Sequence, residues 1–239
     1  MKHSETGIGT IWQNLTANLA QSTAAASAIM GRKILILGST KVDRAERLAR
    51  ELALHAAAQA SRPVWLIDLD FLGAPQYRAF HDPSLVARYG ALGHALEGSL
   101  NQAPPFRASP PPRAPDGRVL SERVLFAAHR VGATKLLVTH LRHEALRDNS
   151  QIEPLPAPDY WDALGAACDY AFVSSPPLSE SKVALKMAPF MDAVILTTNA
   201  KQAKQSEIFA LSQQCRAVGA KLTGIVVVDP SPLQRLMMR

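Results

Sequence analysis

Seven positions in the stretch Ile34–Ala53, "ILILGSTKVDRAERLARELA", could bear on phosphate chemistry. An apolar run meets a helical pattern there across a short polar turn. Such turns hold phosphates when glycines let backbone amides curl inward, a lysine neutralises charge and a Ser or Thr hydroxyl serves magnesium. Counted from Gly38, the glycine, lysine and hydroxyl belong at positions 43, 44 and 45; the chain has Asp43, Arg44 and Ala45. Gly38, Ser39, Thr40, Lys41 and Arg44 are what remains to meet an anion. Asp43 with Glu46 three residues on reads as a cap on the following helix. A carboxylate at that point takes up amides and partial positive charge that would otherwise hold phosphate, and repels phosphate directly. Further along, Asp68 and Asp70 close an apolar run, where carboxylates serve either a metal–phosphate site or ordinary loop anchoring.

Other chemistry finds less footing. His140 and His143 in "THLRHE", with Glu144 beside them, lack the i, i+4 spacing of a helical zinc pair and read as surface or turn residues. Ser174 and Ser175 precede two prolines without the Gly-x-Ser-x-Gly turn of a serine nucleophile. Aromatic and basic residues are not interleaved as in base-stacking surfaces. Cys168 and Cys215 stand apart, in apolar helix-like surroundings, and read as core thiols of a reducing compartment.

The elements that must position these residues alternate. Runs rich in Val, Ile and Leu cover 33–38, 64–70, 135–140, 169–175, 192–198 and 222–229. Their near-continuous hydrophobicity predicts strands covered on both faces, as in a parallel sheet. Helical spacing falls between them, including over "SLVARYGALGHALEGSL". The alternation predicts an α/β fold, doubly wound, with a mostly parallel sheet flanked by helices on both faces. Residues 1–30 read as a leading helix packing on the domain through Trp12, Leu15, Leu19 and Ile29; residues 31–239 read as the single domain. The Pro-rich insert at 103–118, "APPFRASPPPRAPDGR", reads as an exposed, extended loop.

Of 239 residues, 47% are hydrophobic and 19% charged, which suits a globular protein with a sizeable core. The net charge of +6 favours acidic partners, yet the basic residues are scattered. No signal-peptide pattern opens the chain and no apolar run of about 18 residues occurs, so the expectation is a cytoplasmic protein, peripheral to the inner membrane at most.

"VWLIDLDFLGAPQYRAF" resembles the second signature of the bacterial tyrosine kinases of capsule and exopolysaccharide synthesis, with Asp68, Asp70 and Pro75 in place. "GALGHALEGSL" is similar to that family's Gly-Leu-x-x-x-Leu-x-Gly helix. "DYAFVSSPPLSESKVALKMAPFMDAVILTT" is similar to its Asp-Thr-Pro-Pro segment, with Pro176, Pro177 and Asp192 matching. The resemblance covers most of residues 8–229 and implies a P-loop NTPase-like fold of the deviant group that includes partitioning ATPases. It also shows what has changed. Ser174 stands where the family has its magnesium-organising Asp, and Val228 where it has an adenine-reading Asn. Thr10, Gln13 and Thr16 replace the Glu, Arg and Arg that join the family's subunits into a ring, and no tyrosine cluster ends the chain.

The expectation is a degenerate tyrosine-kinase-like protein with a vestigial nucleotide site at Gly38, Ser39, Thr40, Lys41, Arg44, Asp68, Asp70 and Ser174. It has no assigned catalytic residues, metal or cofactor. As a regulatory or scaffolding component of exopolysaccharide export, it would dock an inner-membrane chain-length or export protein, with self-association a further possibility and no specific nucleic-acid target. Two alternatives stay open: an active kinase using ATP and magnesium at a non-standard site, and a partitioning-type regulator binding DNA non-specifically, which salt dependence would reveal.

Overall fold

The structure, a computed structural model, describes residues 2–21, 30–146, 149–199 and 205–228. Residues 22–29, in the stretch read as the leading helix, and residues 229–239, including the chain's C-terminal run, lie outside them.

The apolar runs form the parallel part of one eight-stranded sheet. In chain order its strands are β1 (Arg32–Gly38), β2 (Val64–Asp68), β3 (Leu92–Glu97), β5 (Phe126–Val131), β6 (Leu136–Leu141), β8 (Tyr170–Ser174), β9 (Ala193–Asn199) and β10 (Leu222–Val228). They lie side by side as β10-β9-β1-β8-β2-β6-β5-β3; the first six are parallel, and β5 and β3 are antiparallel additions. The fold is therefore α/β with a mostly parallel sheet, and helices cover both faces.

Period-two alternation in β1 sends successive side chains to opposite cores. Leu35 and Leu37 join Trp65, Ile67 and Val173 on one face. That face is closed by Trp161 and Leu164 of α5 (Pro158–Ala167) and Met187 of α6 (Val183–Met187). Ile34 and Ile36 join Leu66 and Phe172 on the other. There α2 (Ala45–Ala57) lays down Leu48, Leu52, Ala49, Ala53 and Ala56, a stripe at helical spacing. α1 (Lys2–Gln21) packs on the same side through Trp12, Leu15 and Leu19, each 7% exposed or less. Trp12 meets the ring of Tyr170 edge-on at 4.9 Å. Cys168 and Cys215 are buried free thiols.

Two segments differ from the sequence expectation. The helical pattern predicted across "SLVARYGALGHALEGSL" stops at α4 (Pro83–Tyr89), capped by Asp82, whose carboxylate accepts from the Ser84 amide at 2.8 Å. Gly90, at φ 91°, then crosses Gly132 so closely that a Cβ would come within 2.8 Å of the Gly132 Cα. Past that crossing the chain has to extend, and Leu92–Glu97 pairs with β5 as the sheet's edge. The Pro-rich insert is not wholly an exposed loop either. Its β4 (Phe106–Ser109) pairs with the distant β7 (Gln151–Pro154), and Phe106 and Ala108 are buried. The Phe106 ring lies 4.9 Å from Phe71 and 5.5 Å from Phe126, so burial of an aromatic side chain outweighs the local preference for an extended, solvated chain. The remaining helices are α3 (Pro75–Ala79) and α7 (Gln205–Ala217).

Candidate functional site

The turn after β1 runs Gly38-Ser39-Thr40 into a single 3-10 turn at Lys41–Asp43, and α2 begins at Ala45. Asp43 is 4% exposed and holds the turn closed. Its Oδ2 accepts from the Thr40 amide at 2.7 Å and the Thr40 hydroxyl at 3.2 Å, and its Oδ1 accepts from the Asn199 amide at 3.0 Å. The Asp43 amide donates to Thr40 O at 3.1 Å, and the Arg44 amide to Lys41 O at 3.3 Å. A phosphate cradle needs such amides converging on an external anion. Here the amides of Thr40, Asp43 and Arg44 are engaged by the chain itself. Gly38 leaves the space that the Asp43 side chain fills, since a Cβ on Gly38 would lie 2.7 Å from the Cβ of Asp43.

Asp43 thus does its capping one turn earlier than the Asp43–Glu46 reading places it. Arg44, in the left-handed region at φ 54°, is the N-cap residue of α2, and Asp43 caps the 3-10 turn with Thr40. Arg44 contributes to a hollow with Arg47 and Val226–Val228. That places it on the β10 side of β1, whereas Asp68 and Asp70 stand on the β2 side.

Lys41 pairs with Glu180 at 3.0 Å, and the two side chains are 73% and 47% exposed. An exposed pair of this kind adds little stability. It does join two backbone hydrogen bonds, Leu178 N to Gly38 O and Ser179 N to Ser39 O, both 3.0 Å. Together they pin the loop after β8 onto the loop after β1.

Asp68 and Ser174 are register partners at the ends of β2 and β8, both buried. The Asp68 carboxylate accepts from the amides of Asp70 (3.0 Å) and Gln76 (2.9 Å). Burial pushes its pKa up to about 7 against those two hydrogen bonds, with Asp70 and Glu46 adding to the rise. Asp70 accepts from the Gly73 amide at 2.8 Å. Ser174 Oγ has only a long contact to Ile67 O, at 3.5 Å. Both acids therefore anchor the loop that carries the chain from β2 into α3.

Sequence reasoning passed over Gln76, which is fully buried and ties that loop to α2. Its Nε2 donates to Glu46 O at 2.8 Å and its Oε1 accepts from Arg50 Nη1 at 3.0 Å. Glu46, partly buried and near Asp70, has its pKa raised by burial first and Asp70 second. Around the turn, Glu180, Glu46 and Asp70 act on Lys41, and Glu46 and Asp68 on Arg50, while Arg44 and Arg47 stand on its other side. Among the described residues no cluster of three or more His, Cys, Asp or Glu side chains is placed to hold a metal ion. His140 also departs from the surface reading. It stacks on Tyr77 at 3.9 Å and 10°, with the His129 ring 4.9 Å away.

The fold and this corner of it define the class of protein: an α/β domain with a mostly parallel sheet, in which Asp43 holds the turn after the first strand. No family model and no curated protein matches the chain. Among solved structures it is similar to the kinase domain of the Escherichia coli tyrosine kinase ETK, with a TM-score of 0.58, 13% identity, and coverage of 91% of this chain and 74% of that one. The chimerical protein CapA2B2 matches with a TM-score of 0.56 at 16% identity, over 92% and 84% of the two chains. The BceF tyrosine kinase domain matches at 0.54 and 17%, over 94% and 76%. The architecture is that of bacterial tyrosine kinase domains. Among the described residues no helix is long and apolar enough to cross a membrane.

Proposed function

We propose that this chain is a catalytically degenerate relative of the bacterial tyrosine kinase domains. It acts as a regulatory or scaffolding component of exopolysaccharide synthesis and export, docking the cytoplasmic side of an inner-membrane chain-length or export protein. The observation that carries the degenerate reading is the Asp43 carboxylate, held by the Thr40 and Asn199 amides inside the turn where a phosphate would bind. A second anion there meets a fixed negative charge and engaged amides. The loss of hydroxyl and acid at positions 45 and 174 acts in the same direction. The place in polysaccharide export rests on the sequence resemblance and the shared fold, since fold alone does not assign function.

Thermal unfolding tests the reading. A site of micromolar affinity at millimolar ligand adds about 4 kcal/mol of stability. ATP with magnesium is expected to leave the melting temperature unchanged, and the cytoplasmic segment of the membrane partner to raise it. A nucleotide-dependent rise overturns the degenerate reading; no response to the membrane segment overturns the docking.

A further inference from the structure

Tyr77 of α3, His129 of β5 and His140 of β6 form one cluster of rings, away from the turn after β1. Tyr77 stacks on His140 at 3.9 Å, and the His129 ring lies 5.2 Å from Tyr77 and 4.9 Å from His140. Strand register brings the histidines together. His129 pairs with Val138 and Ala127 with His140, so both imidazoles project from one face of adjacent strands.

The His129 ring is 8% exposed, and its orientation is fixed. Its Nδ1 lies 2.8 Å from Gly93 O on β3. A carbonyl only accepts, so Nδ1 carries the proton and Nε2 is left with the lone pair. β3 and β6 lie on opposite sides of β5. The two nitrogens of an imidazole point away from each other, so with Nδ1 turned to β3, Nε2 turns back towards β6 and His140. That Nε2 is buried without a hydrogen-bond partner, and so is His140 Nδ1. Buried nitrogens left in this way are rare because they are costly.

The chemistry that satisfies both at once is a metal ion of the zinc type. Two imidazoles on one zinc, with Zn–N of about 2.0–2.1 Å, hold their ring centroids about 5 Å apart at a tetrahedral angle. The observed separation is 4.9 Å. A second ring N–H held by a backbone carbonyl, as in His129, is also how zinc-binding histidines are oriented. Burial first, and His129 second, push the His140 pKa down to about 4, so no proton has to leave that ring before a metal binds. Glu144 and Arg142 act on it with opposite sign. No third His, Cys, Asp or Glu among the described residues completes a set with the pair. His140 does line a hollow of about 500 Å³ with Tyr77, Arg78, His143 and Glu144, through which water reaches it.

We propose that His129 Nε2 and His140 Nδ1 bind one divalent cation of the zinc type, the protein supplying two ligands and water the others. The proposal does not depend on the nucleotide turn or on any docking partner.

Equilibrium dialysis of the full chain against zinc chloride tests it. The native protein is expected to hold one zinc per chain and to melt at a higher temperature with zinc than without. His140→Phe, which keeps a ring against Tyr77, and His129→Gln, which keeps a donor for Gly93 O, are each expected to lose that zinc and the melting shift. The exposed histidines serve as controls, and His81→Ala and His94→Ala are expected to keep both. If His129→Gln fails to fold, His140→Phe decides alone. A native chain that binds no zinc overturns the proposal. So does zinc that His140→Phe retains, or zinc lost on replacing either exposed histidine.

Discussion

The Asp43 carboxylate and the Asn199 amide, 156 positions apart in sequence, meet at 3.0 Å and join the turn after β1 to the end of β9. The second carboxylate oxygen holds Thr40. One side chain therefore satisfies two backbone donors from separate segments, with Asn199 itself 1% exposed. Asp43→Ala strands both donors, and hydrogen bonds to charged acceptors are the stronger kind. The expected loss is about 2–4 kcal/mol in urea unfolding with an unchanged m-value. A loss within about 0.5 kcal/mol would show that the turn holds itself closed without Asp43.

Gly38 and Asp43 are predicted to be coupled. A methyl group on Gly38 would lie 2.7 Å from the Asp43 Cβ and 2.9 Å from Thr197 Oγ1. Gly38→Ala alone is expected to be destabilising by about 1–3 kcal/mol through overpacking. With Asp43 already shortened to Ala, the space is still partly filled by its Cβ, but the carboxylate network that resists displacement is gone. The double variant should therefore lose less than the two single losses combined, by about 1 kcal/mol in a double-mutant cycle. Strict additivity would mean that the two residues do not contend for one space.

Gln76 should behave as a structural bolt. Its fully buried amide serves Glu46 O and Arg50 at once. Gln76→Leu preserves volume but leaves a buried carbonyl and part of a guanidinium without this partner, at an expected cost of about 2–3 kcal/mol. Hydrogen exchange should locate the added opening at the 69–74 loop, α3 and the first turns of α2; uniform loosening of the whole sheet would contradict this.

How much of this was legible in the sequence follows from which residues carry it. β1, β2, β6, β8 and β9 announce themselves because strands flanked by partners are apolar almost throughout; β10 reads the same way although it pairs with β9 alone and is not covered on both faces. β5 reads "FAAHRV" and β3 reads "LGHALE", with small and polar residues that leave no such run. β4 has meaning only opposite β7, more than 40 residues away, and no local pattern encodes that pairing. At the turn, the missing glycine, lysine and hydroxyl were visible as residue types. The partners of Asp43 were not, because Asn199 arrives from another strand. One signal was present: Thr40-x-x-Asp43 is itself a capping-box pattern, one register earlier than Asp43-x-x-Glu46. Gln76 gave no signal at all, since a lone glutamine in the first turn of a short helix becomes informative only once its burial is known.

A half-buried histidine and a buried aspartate should oppose each other as pH changes. Burial and the neighbouring His129 depress the pKa of His140 from 6.5 to about 4. Its contribution to stability is present above pH 6.5 and is lost as pH falls towards 4, because the unfolded chain takes up the proton first. Asp68 is raised from 3.8 to about 7, so its contribution is present below pH 3.8 and is lost as pH rises through 7. Between pH 4 and 6.5 the two slopes have opposite sign, each at most about 1.4 kcal/mol per pH unit, and they largely cancel in the native protein. Single variants should uncover them. Relative to the native chain, Asp68→Asn should gain stability progressively from pH 4 to 7, on top of a pH-independent cost for placing an amide against the Gln76 N–H. His140→Phe, which keeps a ring against Tyr77, should gain relative stability as pH falls from 6.5 to 4. Urea unfolding at several pH values measures both differences. Flat difference curves for both variants would show that neither group changes its proton affinity on folding, and parallel curves would show that the opposition assigned to them is wrong.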